Sequence, residues 1–177
     1  MGQFTTKILE IDAGWCNVEL CIDGEKIVFD ASYLGENPIE TLLRACVELK
    51  EFAGYECDFM WVSEPGELNF RLYYRDDSLS IDITEQVEET ILNTWHVETS
   101  FNDFVNMVIA EAFEVLRKYG LYGYRTSWAK GMTFPIDILA QLLLDNEFVS
   151  NENLYNTDFS KEINSIMAYM SNGSKNE

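Results

Sequence analysis

Apolar and polar residues alternate along much of the first hundred positions of this chain. Residues 15–34 read WCNVELCIDGEKIVFDASYL. Cys16, Val18, Leu20 and Ile22 alternate with Asn17, Glu19 and Cys21, Asp23-Gly24 supplies a turn, and Ile27, Phe29 and Ala31 resume the period. This pattern predicts a β-hairpin with one face buried. The preceding KILEI is either a further strand or an extension of the first. The period then changes. Asn37 can cap a helix, Pro38 suits its first turn and Glu40 stands where a side chain can reach back. Ile39, Leu42, Leu43, Cys46, Val47 and Leu49 or Phe52 make its apolar stripe, and Gly54 suits its end.

Alternation returns in Cys57, Phe59 and Trp61, then after Ser63-Glu64-Pro65-Gly66 in Leu68, Phe70, Leu72 and Tyr74, then after Arg75-Asp76-Asp77-Ser78 in Leu79, Ile81 and Ile83. These are three antiparallel strands, each with one wet face. Residues 91–98 make a further candidate strand, with Ile91, Trp95 and Val97 on one side. Glu85 to Glu89 is polar and fits a bulge, a loop or a turn of helix. From 101 to 119 the helical period holds through Phe101, Phe104, Val105, Val108, Ile109, Ala112, Val115, Leu116 and Tyr119. Ser100 is placed to cap it, Arg117 and Lys118 suit its last turn, and Gly120 is expected to end it. Residues 121–134 read as an aromatic loop, Pro135 begins a shorter helix, and 145–158 reads as a polar linker. A last amphipathic helix is expected near 159–170.

The expected fold is α+β, with an antiparallel sheet of about five or six strands packed against two or three helices. The expected organisation is a single domain over 1–146. Residues 147–177 are a linker and a C-terminal helix that packs on it, with a frayed end.

Composition narrows the function. Hydrophobic residues are 47% of 177 positions, enough for a core. No apolar run of about 18 residues occurs, and the first residues do not read as a signal peptide, so a cytoplasmic protein is expected. Cys16, Cys21, Cys46 and Cys57 are then expected to be reduced, and to serve as small hydrophobes. Net charge is −19, from 31 acids against 12 bases. Direct binding to nucleic acid or to an anionic membrane is opposed, whereas a basic protein partner is attracted.

Catalytic motifs are missing. There is no glycine-rich phosphate loop, and the single histidine, His96, has no paired nucleophile near it in sequence. Zinc spacings and an EF-hand pattern are absent, and no cofactor, metal or catalytic residue is assigned. With 31 acids, any chosen carboxylate pair says little.

The unusual feature is a charge run. Residues 76–116 hold ten acids and no Lys or Arg, spaced between apolar positions. Solvation of a folded surface accounts for such a run, and so does a docking face for a basic partner. For the second reading the candidates are Asp82, Glu85, Glu88, Glu89 and Glu98, with Glu111 and Glu114 placed off the helix's apolar stripe. Tyr122, Tyr124 and Trp128, in the expected loop, are candidate interface anchors or a cover for the sheet end.

Three segments together, SYLGENPIETLLRA (32–45), WVSEPGELNFRL (61–72) and LRKYGLYGYRTSW (116–128), resemble a loosely defined group of small acidic bacterial proteins of unassigned activity. Some of that group are regarded as immunity proteins of toxin systems. The resemblance spans roughly 15–130 and brings no catalytic residue with it. It implies a non-enzymatic, protein-binding domain that docks a basic partner. The alternatives are a small-molecule-binding domain or enzyme of unrecognised type, with a pocket beside Trp61 or Trp128, and a structural or oligomeric component.

Overall fold

The structure is a computed structural model and describes residues 2–51, 54, 56–128 and 132–144. It is α+β, as the alternation predicts, but the strands form two antiparallel sheets and not one. The first has the order β1 (Phe4–Asp12), β2 (Trp15–Ile22), β3 (Glu25–Ser32). Helix α1 (Pro38–Glu51) follows. The second sheet is the meander β4 (Glu56–Ser63), β5 (Gly66–Arg75), β6 (Ser78–Val87), β7 (Thr90–Ser100). Helices α2 (Phe101–Ser127) and α3 (Ile136–Leu144) complete it. None of these helices is long and apolar enough to cross a membrane.

KILEI belongs to a separate strand, β1, whose turn into β2 places Ala13 and Gly14 at positive φ. The split between sheets follows from α1, which takes the chain away after β3 so that β4 starts a new ladder. The two sheets still meet. Gly35, on the way out of β3, lies so close to β4 that a Cβ there would stand 2.9 Å from the Val62 nitrogen. At the other end the Gly2 N–H donates to the Glu98 carbonyl of β7 at 2.6 Å.

The alternating residues behave as their period demands. Cys16, Val18, Leu20 and Ile22, then Phe59 and Trp61, Leu68, Phe70 and Leu72, and Leu79, Ile81 and Ile83 are all buried. They join the buried faces of α1, α2 and α3 in one continuous apolar cluster. Each fully buried large side chain contributes on the order of 1.5–3 kcal/mol by leaving water. The Trp61 Nε1–H, which burial would otherwise strand, donates to Thr41 Oγ1 at 2.9 Å. Asn37 caps α1, its Oδ1 accepting from Ile39 N at 3.2 Å. Ser100 caps α2, accepting from Asp103 N at 3.3 Å.

Three expectations fail here. Gly120 does not end α2. It adopts φ 62°, ψ 179°, and the helix bends and resumes to Ser127. The segment from 121 is therefore mostly helix, not loop. Its residues Tyr124 and Trp128 continue the i+4 spacing from Leu116, and all three are buried. Second, Ile91 does not lie on one side with Trp95 and Val97: Glu85 to Glu89 holds a bulge, one of the alternatives expected there, with a register shift between Glu85 and Gln86, and then a tight turn with Glu88 at positive φ. That extra residue breaks the alternation of β7, so Ile91 is exposed and does not share the inner face with Val97. Third, Glu111 lies on the apolar stripe of α2 and is buried. Phe52, the polar segment after 144 and the expected last helix lie outside the described residues.

Candidate functional site

The antiparallel register builds one continuous outer face on the second sheet. Residues two apart on a strand share a face, and cross-strand partners align. Asp58, Arg71, Asp82 and His96 therefore form a row across all four strands. Met60, Asn69, Thr84 and Thr94 form the next row, and Glu56, Tyr73, Ser80 and Glu98 the row on the other side. The opposite side chains of the same strands carry the core. This outer face is concave, enclosing about 890 Å³ that the first two rows line together with Gln86 and parts of the inner residues.

Its charges are uneven. Among the described strand residues, Glu56, Asp58, Glu67, Asp82 and Glu98 supply five carboxylates, against the guanidinium groups of Arg71 and Arg75 and the imidazole of His96. Arg71 Nε stands 3.3 Å from Asp58 Oδ1 and 3.7 Å from Glu56 Oε2. His96 Nδ1 lies 2.7 Å from Asp82 Oδ1. A carboxylate can only accept, so Nδ1 is the donor of this bond. Glu67 accepts from Asn69 Nδ2 at 3.0 Å and from Gln86 Nε2. All these groups are wholly or partly open to water, so each ion pair adds little to stability, roughly 0–1 kcal/mol.

The sequence-derived candidates scatter against this frame. Asp82 and Glu98 lie on the concave face. Glu85 points to the opposite side of β6, accepting from Asn93 Nδ2 at 2.6 Å. Glu88 and Glu89 occupy the exposed turn between β6 and β7. Tyr122 is 82% exposed on the second leg of α2. Tyr124 and Trp128 are not surface anchors: they are 0% and 3% exposed, and Tyr124 Oη donates to Asn37 Oδ1 at 2.7 Å. Burial raises the Tyr124 phenol pKa. Trp61 and Trp128 both lie in the core.

Glu56, Asp58, Glu67, Arg71 and His96 were not singled out as site residues, because only the register of β4 to β7 brings them together. No protein-family model, curated protein or solved structure matches this chain. The resemblance to small acidic bacterial proteins therefore stands on its three segments alone.

Three of the four thiols are muted, and Cys21 is partly buried. Burial pushes the Cys16 and Cys46 thiols well up, and pushes Cys57, whose Sγ donates to Glu48 Oε2 at 3.4 Å, up to about 12. Such thiols stay protonated and are poor nucleophiles. Among the described residues no three His, Cys, Asp or Glu side chains gather as metal ligands would.

Proposed function

We propose that this protein is a non-enzymatic binding domain that docks a basic protein, in the manner of an immunity or antitoxin protein, through the outer face of β4 to β7. The observation that carries this reading is the set of five carboxylates on one sheet face, two of them lining its concavity, in excess over Arg71, Arg75 and His96 among the described residues. A face of this kind raises the encounter rate of a cationic partner and repels acidic ones. A nuclease-like toxin, which must be basic to hold nucleic acid, has the matching charge.

Affinity capture from the native lysate at low and high salt tests this, using the wild type and an Asp58→Lys/Asp82→Lys/Glu98→Lys variant. The expected result is a basic protein held by the wild type at low salt, weakened at high salt and lost from the variant. Capture of no basic protein, or capture that the variant leaves unchanged, overturns the reading.

The concavity supports a second reading. Its volume falls within the range of small-molecule sites, about 300–1,000 Å³. Its lining of Asn69, Thr84, Gln86, Thr94 and charged groups is polar, unlike the apolar walls of most such sites. That lining favours the protein partner.

A further inference from the structure

The outer strands of a sheet present unpaired N–H and C=O groups, and folded proteins cover them, charge them or use them. Two of the four outer strands here have backbone groups met by side chains. On β1, Glu111 Oε1 accepts from Ile8 N at 2.5 Å, Lys118 Nζ donates to Leu9 O at 2.6 Å, and Tyr119 Oη accepts from Ile11 N at 2.7 Å. Helix α2 thus covers that edge at its bulge. On β4, the Met60 N–H donates to Glu36 Oε2 at 3.3 Å. On β3, the Tyr33 N–H donates to Gly14 O at 2.9 Å, a bond that continues the ladder toward β2 and leaves the outer edge of that strand without a described side-chain contact.

The fourth outer strand, β7, is treated differently. Its far end is met by Gly2, whose N–H donates to Glu98 O. That bond shows which way Glu98 points its backbone groups: away from β6. In an antiparallel ladder residues two apart point the same way, so Thr94 and His96 also aim N–H and C=O outward. No described strand lies beyond β7 along residues 90–96. Where this edge begins, Ile91 and Leu92 are 60% and 51% exposed.

We infer that the outer edge of β7 along residues 90–96 receives an extended segment of the basic partner as an added strand. This rests on the reading of the acidic face given above. Strand addition bonds the Thr94 and His96 backbone groups, and Ile91 and Leu92 offer apolar contact. The side chains of Thr94 and His96 lie on the concave face. Alternate residues of the incoming strand extend that face, beside Asp82 and Glu98, while Glu88 and Glu89 flank its end. Charge selects the occupant. A second copy of this chain would set acidic edges of two molecules of net charge −19 against each other, whereas a segment rich in Lys and Arg meets an excess of carboxylates.

The test uses an amidated peptide of alternating Lys and Val, about seven residues long, as an ordinary strand is. Its control is a twin methylated on all its backbone nitrogens, which keeps the charge and loses the donors. Binding is followed by amide hydrogen exchange and titration with the full chain. The expected result is slower exchange at Thr94 and His96, and binding to the methylated twin weaker by about tenfold or more. Thr94→Pro, which removes an outward donor and leaves every carboxylate in place, is expected to reproduce that loss. Equal binding of the two peptides, abolished by Asp82→Lys/Glu98→Lys, overturns the edge and leaves the acidic face standing. Binding of neither peptide at low salt overturns both. Slow exchange of Thr94 and His96 without peptide, or a dimer in light scattering that Thr94→Pro dissociates, overturns the inference by giving the edge another occupant.

Discussion

The outer faces of the two sheets both carry more acid than base, but they differ in shape and in how their edges are met. On the three-stranded sheet, Lys7 and Lys26 sit among Glu10, Glu19 and Asp30 in the register, and Lys26 Nζ reaches Glu19 Oε1 at 3.0 Å. Asp12 lies on that face too, so four carboxylates stand against two lysines. On the four-stranded sheet, five carboxylates share Arg71, Arg75 and His96, and two of them line a concavity. The edges differ as well, because α2 covers β1 while no described strand lies beyond β7 along residues 90–96. Net charge alone would not have separated these surfaces. The difference locates the acidity that has something to attract, and it separates carboxylates that hold the fold from those that face outward.

Glu111 and Glu98 put that separation to the sharpest test. Glu111→Ala leaves the Ile8 N–H without its acceptor at a buried edge, and should cost about 1–3 kcal/mol in urea unfolding at neutral pH. Glu98→Ala, on the open face, should stay within about 0.5 kcal/mol. Equal effects would erase the distinction between the two edges. Tyr119→Phe removes the oxygen that accepts from Ile11 N and should cost about 1 kcal/mol by the same measurement.

A smaller effect should appear as pH is varied. Burial holds the Glu111 carboxyl above the ordinary carboxylate range. Glu114 adds to the shift, while the Ile8 N–H and Lys7 oppose it. Its proton is therefore held more tightly in the folded chain than in the unfolded one. The stability this contributes is fully present below the unfolded value, about 4.3, and is lost as pH rises through the folded value. Glu111→Gln keeps the acceptor oxygen and cannot ionise. The variant should gain on the wild type as pH rises from about 4 to neutrality. A constant difference across that range would mean that Glu111 is not a strained carboxylate. Smallest of all, Arg71→Ala should change stability by less than about 1 kcal/mol, since its partners are exposed.

Most of the elements were legible because their signals are local. Cys16 to Ile22 and Leu79 to Ile83 alternate without interruption, and Asn37 and Ser100 announce two helix starts by residue type alone. What was not legible depends on register or on tertiary contact. Nothing in the residues around α1 says whether β3 and β4 share hydrogen bonds. The bulge at Glu85 and Gln86 shifts β7 by one residue, which turned Ile91 outward against its apparent period. Gly120 reads as a helix stop, yet Leu116, Tyr124 and Trp128 keep an i+4 stripe across it, and burying that stripe carries the helix on. The same spacing, 104, 108, 111 and 115, put Glu111 on the apolar face, and an acid there was a sign of a buried partner. The row Asp58, Arg71, Asp82, His96 needed three separate strand pairings to be known together. Each residue was visible as a wet-face position, but not as a neighbour of the others.

The most direct measurement is a resonance footprint. Isotope-labelled protein is titrated with the basic protein it captures, and backbone shifts are compared between the two sheets. The expected footprint covers Asp58, Asn69, Arg71, Thr84, Thr94 and His96 and leaves Asn17, Glu19 and Lys26 unmoved. A footprint on the three-stranded sheet or on the helices, with β4 to β7 silent, would contradict the assignment of the acidic face as the docking surface.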